Sequence, residues 1–382
     1  MVVPMSSRAY DHWIGIVRQL GPSFASRAAA HDADDSFVAD NYADLRAHRF
    51  FSAGVPAELG GGGASHAEIS DVLRLLATYC SSTALAVSMH THQVLIPAWR
   101  WRHEQAPVDA FLRRVAAEQL VLVSSGGSDW IDGSGTARKV EGGYRVSGRK
   151  IFSSGAPAGD LMMTMAVYDD PQNGPTVLHF AVPLTAPGVV MQDTWRTLGM
   201  RGTGSHDTML QDVFVPDAAI GWRRPAGRWS QPTHVIAAIA LPLIYSVYVG
   251  VAEAARGLAL DLAAKRAEDP TIQRLVGEME NELAAARLGL RHMVEAVAPG
   301  PVGAETTGQV LIGRTLTARA AIRTVERAME VAGGAGFFRA VGLERLFRDV
   351  QGARYHQMRE PGQVLYTGRL ALGLDLNPKM KE

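Results

Sequence analysis

From about Gln119 to Ile220 this chain changes period, and the change limits what it can fold into. Short β-rich runs alternate there with Gly, Pro, Asp and Asn turns: Leu120–Val123, Tyr144–Val146, Met162–Val167, Val177–Val182 and Val213–Val215. Strands this short and this closely punctuated predict a small barrel or sandwich. The flanks carry a helical period instead. Residues from about Ser7 to Trp101 read as helices joined by short loops. Within them Ser65 and Glu68 form a capping box, opening a helix with Ile69, Val72 and Leu76 on one face. After Trp229, Leu275, Met279, Leu283, Ala286, Leu290 and Val294 recur at helical spacing, as do Leu311, Ala318, Ile322, Val325 and Met329. Long helices with charged outer faces predict a bundle. The expected fold class is α+β, with a helical domain over 1–118, a β domain over 119–228 and a helical bundle over 229–382.

Composition narrows the functions. With 38 basic against 38 acidic residues, the chain has no long-range field for nucleic acid or an anionic membrane. The single Cys80 excludes internal disulfides and multi-cysteine metal sites, and fits a reduced, cytoplasmic setting. The N-terminus has no apolar core of signal-peptide type. The apolar run Val235–Val251 contains Pro242, Ser246 and Gly250, and reads as a helix buried on all sides; no membrane association is expected.

Several short stretches carry chemistry. Gly126-Gly127-Ser128-Asp129 is a turn whose amides and hydroxyl suit a pyrophosphate. GRKIFSSG, from Gly148 to Gly155, is a strand ending in small hydroxyls. In Ser88-Met89-His90-Thr91-His92-Gln93 the histidines point to different sides of a helix, a poor metal pair but one that leaves either free to face a cavity. No metal site is expected. Gly333-Gly334-Ala335-Gly336-Phe337-Phe338 stops a long helical pattern, with glycines allowing a left-handed stop or close approach of a ligand. LERLFRDV follows from Leu343, then His356 among polar neighbours, then Pro361-Gly362, which is expected to break the helix.

Together VPAELGGGGAS, GSD, the GRKIFSS strand from Gly148 to Ser154, LGMRGT with VFVP, and GGAGF with LERLFRD resemble the acyl-CoA dehydrogenase superfamily over almost the whole chain. That resemblance implies an N-terminal helical domain, a middle β-barrel, a C-terminal four-helix bundle, and assembly as a homotetramer built as a dimer of dimers. It implies a bound flavin, FAD or FMN, with Ser128 near the pyrophosphate and Phe152 and Ser154 beside the isoalloxazine. In the family, the loop after the position of Arg266 contacts a neighbouring subunit's FAD. Here it is shorter and lacks the Phe-Gly, which makes FMN an option; Gly333 and Gly334 join Arg266 as candidate cofactor contacts.

Two departures bear on the reaction. Dehydrogenation of an acyl thioester needs a carboxylate to remove the α-proton, and the family's two usual places for it correspond to Gln357 and Ala240. Glu360 is an alternative base, though it precedes Pro361. The Thr-Glu-Pro ahead of GSD is replaced by Leu122-Val123-Ser124. Ala353-Arg354-Tyr355-His356, SGAPAGD from Ser154, and Glu268-Asp269-Pro270 look like the monooxygenase branch typified by dibenzothiophene monooxygenase, whereas Arg348-Asp349 keeps the dehydrogenase form. The resemblance gives His356 and His92 as catalytic candidates. It leaves open a reduced-flavin monooxygenase served by a flavin reductase, or a dehydrogenase served by electron-transfer flavoprotein. The substrate is expected to be a small neutral or aromatic molecule in a pocket walled by Ile239, Leu243, Met89 and Val94.

Overall fold

A computed structural model of the chain describes residues 7–125, 131–298 and 300–377. Helices α1 (Arg8–Asp34), α2 (Ala39–Ala47), α3 (His66–Tyr79), α4 (Ser81–His103) and α5 (Asp109–Glu118) come first. The capping box forms as expected: Glu68 N–H donates to Ser65 Oγ, and Ser65 N–H donates to the Glu68 carboxylate at 2.8 Å.

Among the described residues eight strands follow: β1 (Leu122–Ser124), β2 (Thr136–Val140), β3 (Gly143–Lys150), β4 (Leu161–Asp170), β5 (Gly174–Pro183), β6 (Val189–Met191), β7 (Thr208–Pro216) and β8 (Ile220–Pro225). They make one mixed sheet in the order β6-β7-β3-β2-β4-β5-β8, with β1 parallel to the start of β4. The five apolar runs all lie wholly or partly in strands. β2, β6 and β8 lack the signature, because most of their side chains reach solvent or half-buried positions.

The last part holds α6 (Gln231–Ala263), α7 (Pro270–Val297), α8 (Ala304–Ala332), α9 (Leu343–Val350) and α10 (Glu360–Ala371). Helices α6, α7, α8 and α10 form the bundle, and α6 also packs on α3 and α4. This explains its continuous apolarity. It is long and apolar enough to cross a membrane, but 94% of its apolar window is buried inside the protein, where it is the shared spine of both helical regions. Each fully buried Val, Leu or Ile there contributes roughly 1.5–3 kcal/mol. Gly250 lets α6 pass close to the backbone of α3, at the Arg74 carbonyl. Pro361 does not break a helix. It sits in the first turn of α10, where its missing N–H costs nothing, and so opens that helix.

Candidate active site

Helices α4 and α6, the sheet and the segment after α9 enclose a cavity of about 800 Å³. Leu85, Met89, His92, Ile96 and Arg100 line it from α4; Ile236, Ala240, Ile244 and Tyr248 line it from α6. These positions recur at three and four residues, so each helix lays one face along the space. Met89 is in the expected wall. Ile239, Leu243 and Val94 are not: Ile239 and Leu243 sit on buried faces of α6, and Val94 belongs to a separate core with Leu112 and Leu122. The wall of α6 is rotated from the one expected.

The segment after α9 carries the polar end. Backbone carbonyls at 353 and 356 are clamped from below. Tyr245 Oη donates to Ala353 O at 2.8 Å, and Arg314, only 2% exposed, donates to His356 O at 2.7 Å. The clamp aims the His356 side chain into the cavity, with Nε2 2.6 Å from Tyr248 Oη. Burial pushes the Tyr248 phenol well above its ordinary pKa, so it keeps its proton. Burial first, then the Arg314 guanidinium, pushes His356 down to about 3. The pair is thus neutral at pH 7, and a donating Tyr248 assigns the imidazole proton to Nδ1. Gly352 is needed at this junction, because an added Cβ would come within 2.6 Å of Tyr248 Oη.

Of the two histidines on α4, His92 faces the cavity. Its Nδ1 donates to Ser88 O at 3.2 Å, the Gln93 amide donates to Nε2 at 2.9 Å, and burial lowers its pKa to about 4. His90 spends both nitrogens on backbone: Nε2 donates to Phe51 O at 2.8 Å, and Leu122 N–H donates to Nδ1 at 2.9 Å. Both stations for a proton-abstracting acid, Gln357 and Ala240, open onto the cavity. Among the described residues no Asp or Glu lines it. Glu360 is turned away, in an ion pair with Arg319 at the surface.

The opposite wall supplies Phe152 and Ser154. Phe152, 47% exposed, has a left-handed backbone (φ 57°), and its ring meets Trp195 edge-on at 6.0 Å. Ser154 Oγ and Ser205 Oγ are 2.7 Å apart, and Thr203 Oγ1 continues the chain of hydroxyls. Ser125 Oγ lies 2.6 Å from Thr164 Oγ1 on the same wall, close to where the family's threonine was missed. Ser128 lies outside the described residues. Gly333, Gly334 and Arg266 do not line the cavity; Arg266 caps α8 by donating to Val331 O at 2.8 Å, next to Gly333. Tyr248, Trp195, Ser205 and Arg314 were not anticipated. The two tyrosines of the apolar run were the available signal, since a buried phenol needs a partner.

Known proteins share this arrangement. The descriptions "Acyl-CoA dehydrogenase, N-terminal domain", "middle domain" and "C-terminal domain" match residues 19–117, 124–213 and 243–361. Amino sugar nitrososynthase RubN8 of Streptomyces rubradiris is 30% identical over 377 residues, covering 93% of this chain and 88% of its own. The chain belongs to the acyl-CoA dehydrogenase family. Another member, dibenzothiophene monooxygenase of Mycolicibacterium goodii, is 27% identical, covering 91% of this chain and 90% of its own. A structure of KijD3 in complex with FMN and dTDP-3-amino-2,3,6-trideoxy-4-keto-3-methyl-D-glucose superposes with a TM-score of 0.90 at 28% identity, covering 99% of this chain and 97% of KijD3.

This family member is a flavin-dependent oxidoreductase acting on a small molecule, with FAD or FMN as cofactor. Its residues fit the cofactor. An exposed aromatic ring, a row of hydroxyl donors and a cavity of ligand size converge at the Phe152 end. A flavin bound there supplies two-electron redox chemistry, including the reaction of its reduced form with dioxygen. The chain itself supplies the aromatic wall, the hydroxyls, the neutral donor at His356 and the apolar helix faces that exclude water.

Proposed function

We propose that the protein is a reduced-flavin-dependent monooxygenase acting on a small molecule with an apolar or aromatic body. The observation that carries this reading is a cavity lined by no Asp or Glu among the described residues: Gln357 and Ala240 occupy the stations of the dehydrogenase base, and neither accepts a proton. An acyl-CoA dehydrogenase would need Glu360 to leave Arg319 and turn inward. In the oxygenase reading His356, held by Tyr248, offers Nδ1–H to a developing oxyanion, where a carboxylate would repel it. His92 is the second polar group of that end. Phe152 and Ser154 flank the flavin ring.

FMN suits the chain better than FAD, because α6 and α7 are joined by a short connection after Arg266 that offers little to an adenosine. Reduced flavin would come from a separate reductase. The same reading includes a homo-oligomer in the manner of a dimer of dimers. Phe337 and Phe338, 83% and 68% exposed beside Gly333, Gly334 and Arg266, are the apolar surface that favours it. The division at 118 and 228 and a cytoplasmic location belong to this proposal as well.

The test supplies chemically reduced FMN, ¹⁸O₂ and either indole or dibenzothiophene to the purified protein. Label in the organic product is the expected result. Reduction of the bound flavin by butyryl-CoA or octanoyl-CoA, with no label in either probe, overturns the reading.

A further inference from the structure

The cavity has two openings. Phe152, Leu198 and Tyr355 are exposed at the first, beside the proposed flavin wall. At the second, Pro107, Ala218 and Gly221 reach solvent around Arg100. Helix α4 separates them. Its Ser82 bonds the loop behind the first opening through Gly202 N–H, and its Arg100 bonds Gly221 O beside the second. Ser82 and Arg100 are about 27 Å apart at 1.5 Å per residue.

Three donor groups with spare capacity meet there. Arg100 lies over the Trp222 ring at 4.3 Å and spends Nε on Glu104 and Nη1 on Gly221 O; Nη2 has no partner among the described residues. The Trp222 indole N–H likewise makes no hydrogen bond to a described residue. His179 accepts from Arg224 Nε at 3.0 Å through its Nε2. A guanidinium donates and cannot accept a hydrogen bond, so Nε2 of a neutral His179 is the acceptor and its proton sits on Nδ1; that N–H is unpartnered among the described residues. Burial, then the Arg224 charge, pushes His179 down to about 3, which keeps it neutral. Glu104 pairs with the outer edge of the same guanidinium but is not in the lining, so among the described lining residues this end presents donors and no carboxylate.

Resting on the monooxygenase reading, we propose that Arg100, Trp222 and His179 form an oxyanion anchor, so that the substrate carries a phosphate or carboxylate tail on its apolar body. The tail seats at the second opening and the body runs between α4 and α6 toward His356. Charge-assisted hydrogen bonds from a fixed fork give the site its preference for an anion over a neutral acceptor. The stacked Trp222 holds that fork in place.

The probes are 4-phenylbutyl phosphate and 4-phenylbutanol, titrated calorimetrically into the FMN-loaded full chain, with the first opening occupied. The phosphate should bind about tenfold more tightly than the alcohol, the size of one charged hydrogen bond. Arg100→Gln should reduce that preference to less than about threefold, and Trp222→Phe should weaken it in the same direction. FMN affinity, followed by flavin fluorescence in the same samples, should not change in either variant. Equal binding of the two probes by the unaltered protein, or a preference that survives both substitutions, overturns the anchor. Failure of the protein to retain FMN would instead count against the monooxygenase reading, and the same titration without FMN would still decide the anchor.

Discussion

His90 and His92 stand two residues apart on one buried helix, and they do different work. His90 has each ring nitrogen bonded to backbone, tying α4 to the turn at Phe51 and to the start of β1. His92 is held by its own helix and by Gln93, and it faces the cavity. His356 shares the cavity with His92 but differs from both: one nitrogen meets Tyr248, and the other has no partner among the described residues. A buried imidazole whose two nitrogens are both taken by backbone is a structural joint. One with a nitrogen left over, against a cavity, is available for chemistry.

Removing each type should therefore fail in a different way. His356→Ala should lower turnover by about 10²–10⁴-fold, the usual contribution of a positioned proton donor. Its thermal midpoint should fall less than that of His90→Ala, because Tyr248 loses one partner while Arg314 keeps its grip on the backbone carbonyl. Steady-state oxygen uptake coupled to product formation, with calorimetry alongside, measures both. A large loss of stability would place His356 with His90.

His90→Ala should do the reverse. It leaves Leu122 N–H and Phe51 O without partners in a buried site, a loss of about 3 kcal/mol. Urea unfolding should show it, while whatever protein remains folded keeps its flavin affinity.

Protonation separates folded from unfolded chain in the same way. Burial pushes His90 and His92 down to about 4, and His179 and His356 to about 3. Above the ordinary imidazole value of about 6.5 both states are neutral and the stability is fully present. As pH falls below that value the unfolded chain takes up protons that the folded chain refuses, so stability is lost progressively toward pH 4. Each imidazole contributes at most about 1.4 kcal/mol per pH unit, less for those open to the cavity. The urea midpoint should be flat above pH 7 and clearly lower at pH 5. His90→Ala should lessen the slope. A midpoint that does not change between pH 7 and 5 would show that these rings are not held neutral.

The smallest effect belongs to Glu360→Gln. Its exposed pair with Arg319 is worth about 1 kcal/mol or less, and turnover should change less than about twofold. A collapse of activity would bring Glu360 back as a base.

How far the sequence carried depends on which property a residue reveals by itself. Core strands such as β4 and β5 were legible because their apolar runs are continuous. β2 and β8 were not, since TARKV buries little beyond Ala137 and IGWRRP carries two arginines and a proline. The family motifs marked His356, Phe152 and Ser154, all of which line the cavity. Tyr248 stayed hidden inside the most apolar run of the chain, because hydropathy treats a phenol ring as bulk and says nothing of the hydroxyl. Arg314 is separated in sequence from the loop it clamps, and no local pattern announces a bond between them. The wall of α6 was misplaced for a related reason: a helix apolar on every side gives no phase by which to tell cavity from core.

The central claim is that none of the described carboxylates reaches the cavity to abstract a proton. Flavin-loaded protein mixed anaerobically with octanoyl-CoA in D₂O tests it most directly, with flavin absorbance and the α-protons of the thioester both followed. The account predicts an unbleached flavin and no deuterium at the α-carbon. Bleaching, or exchange at that carbon, would contradict it.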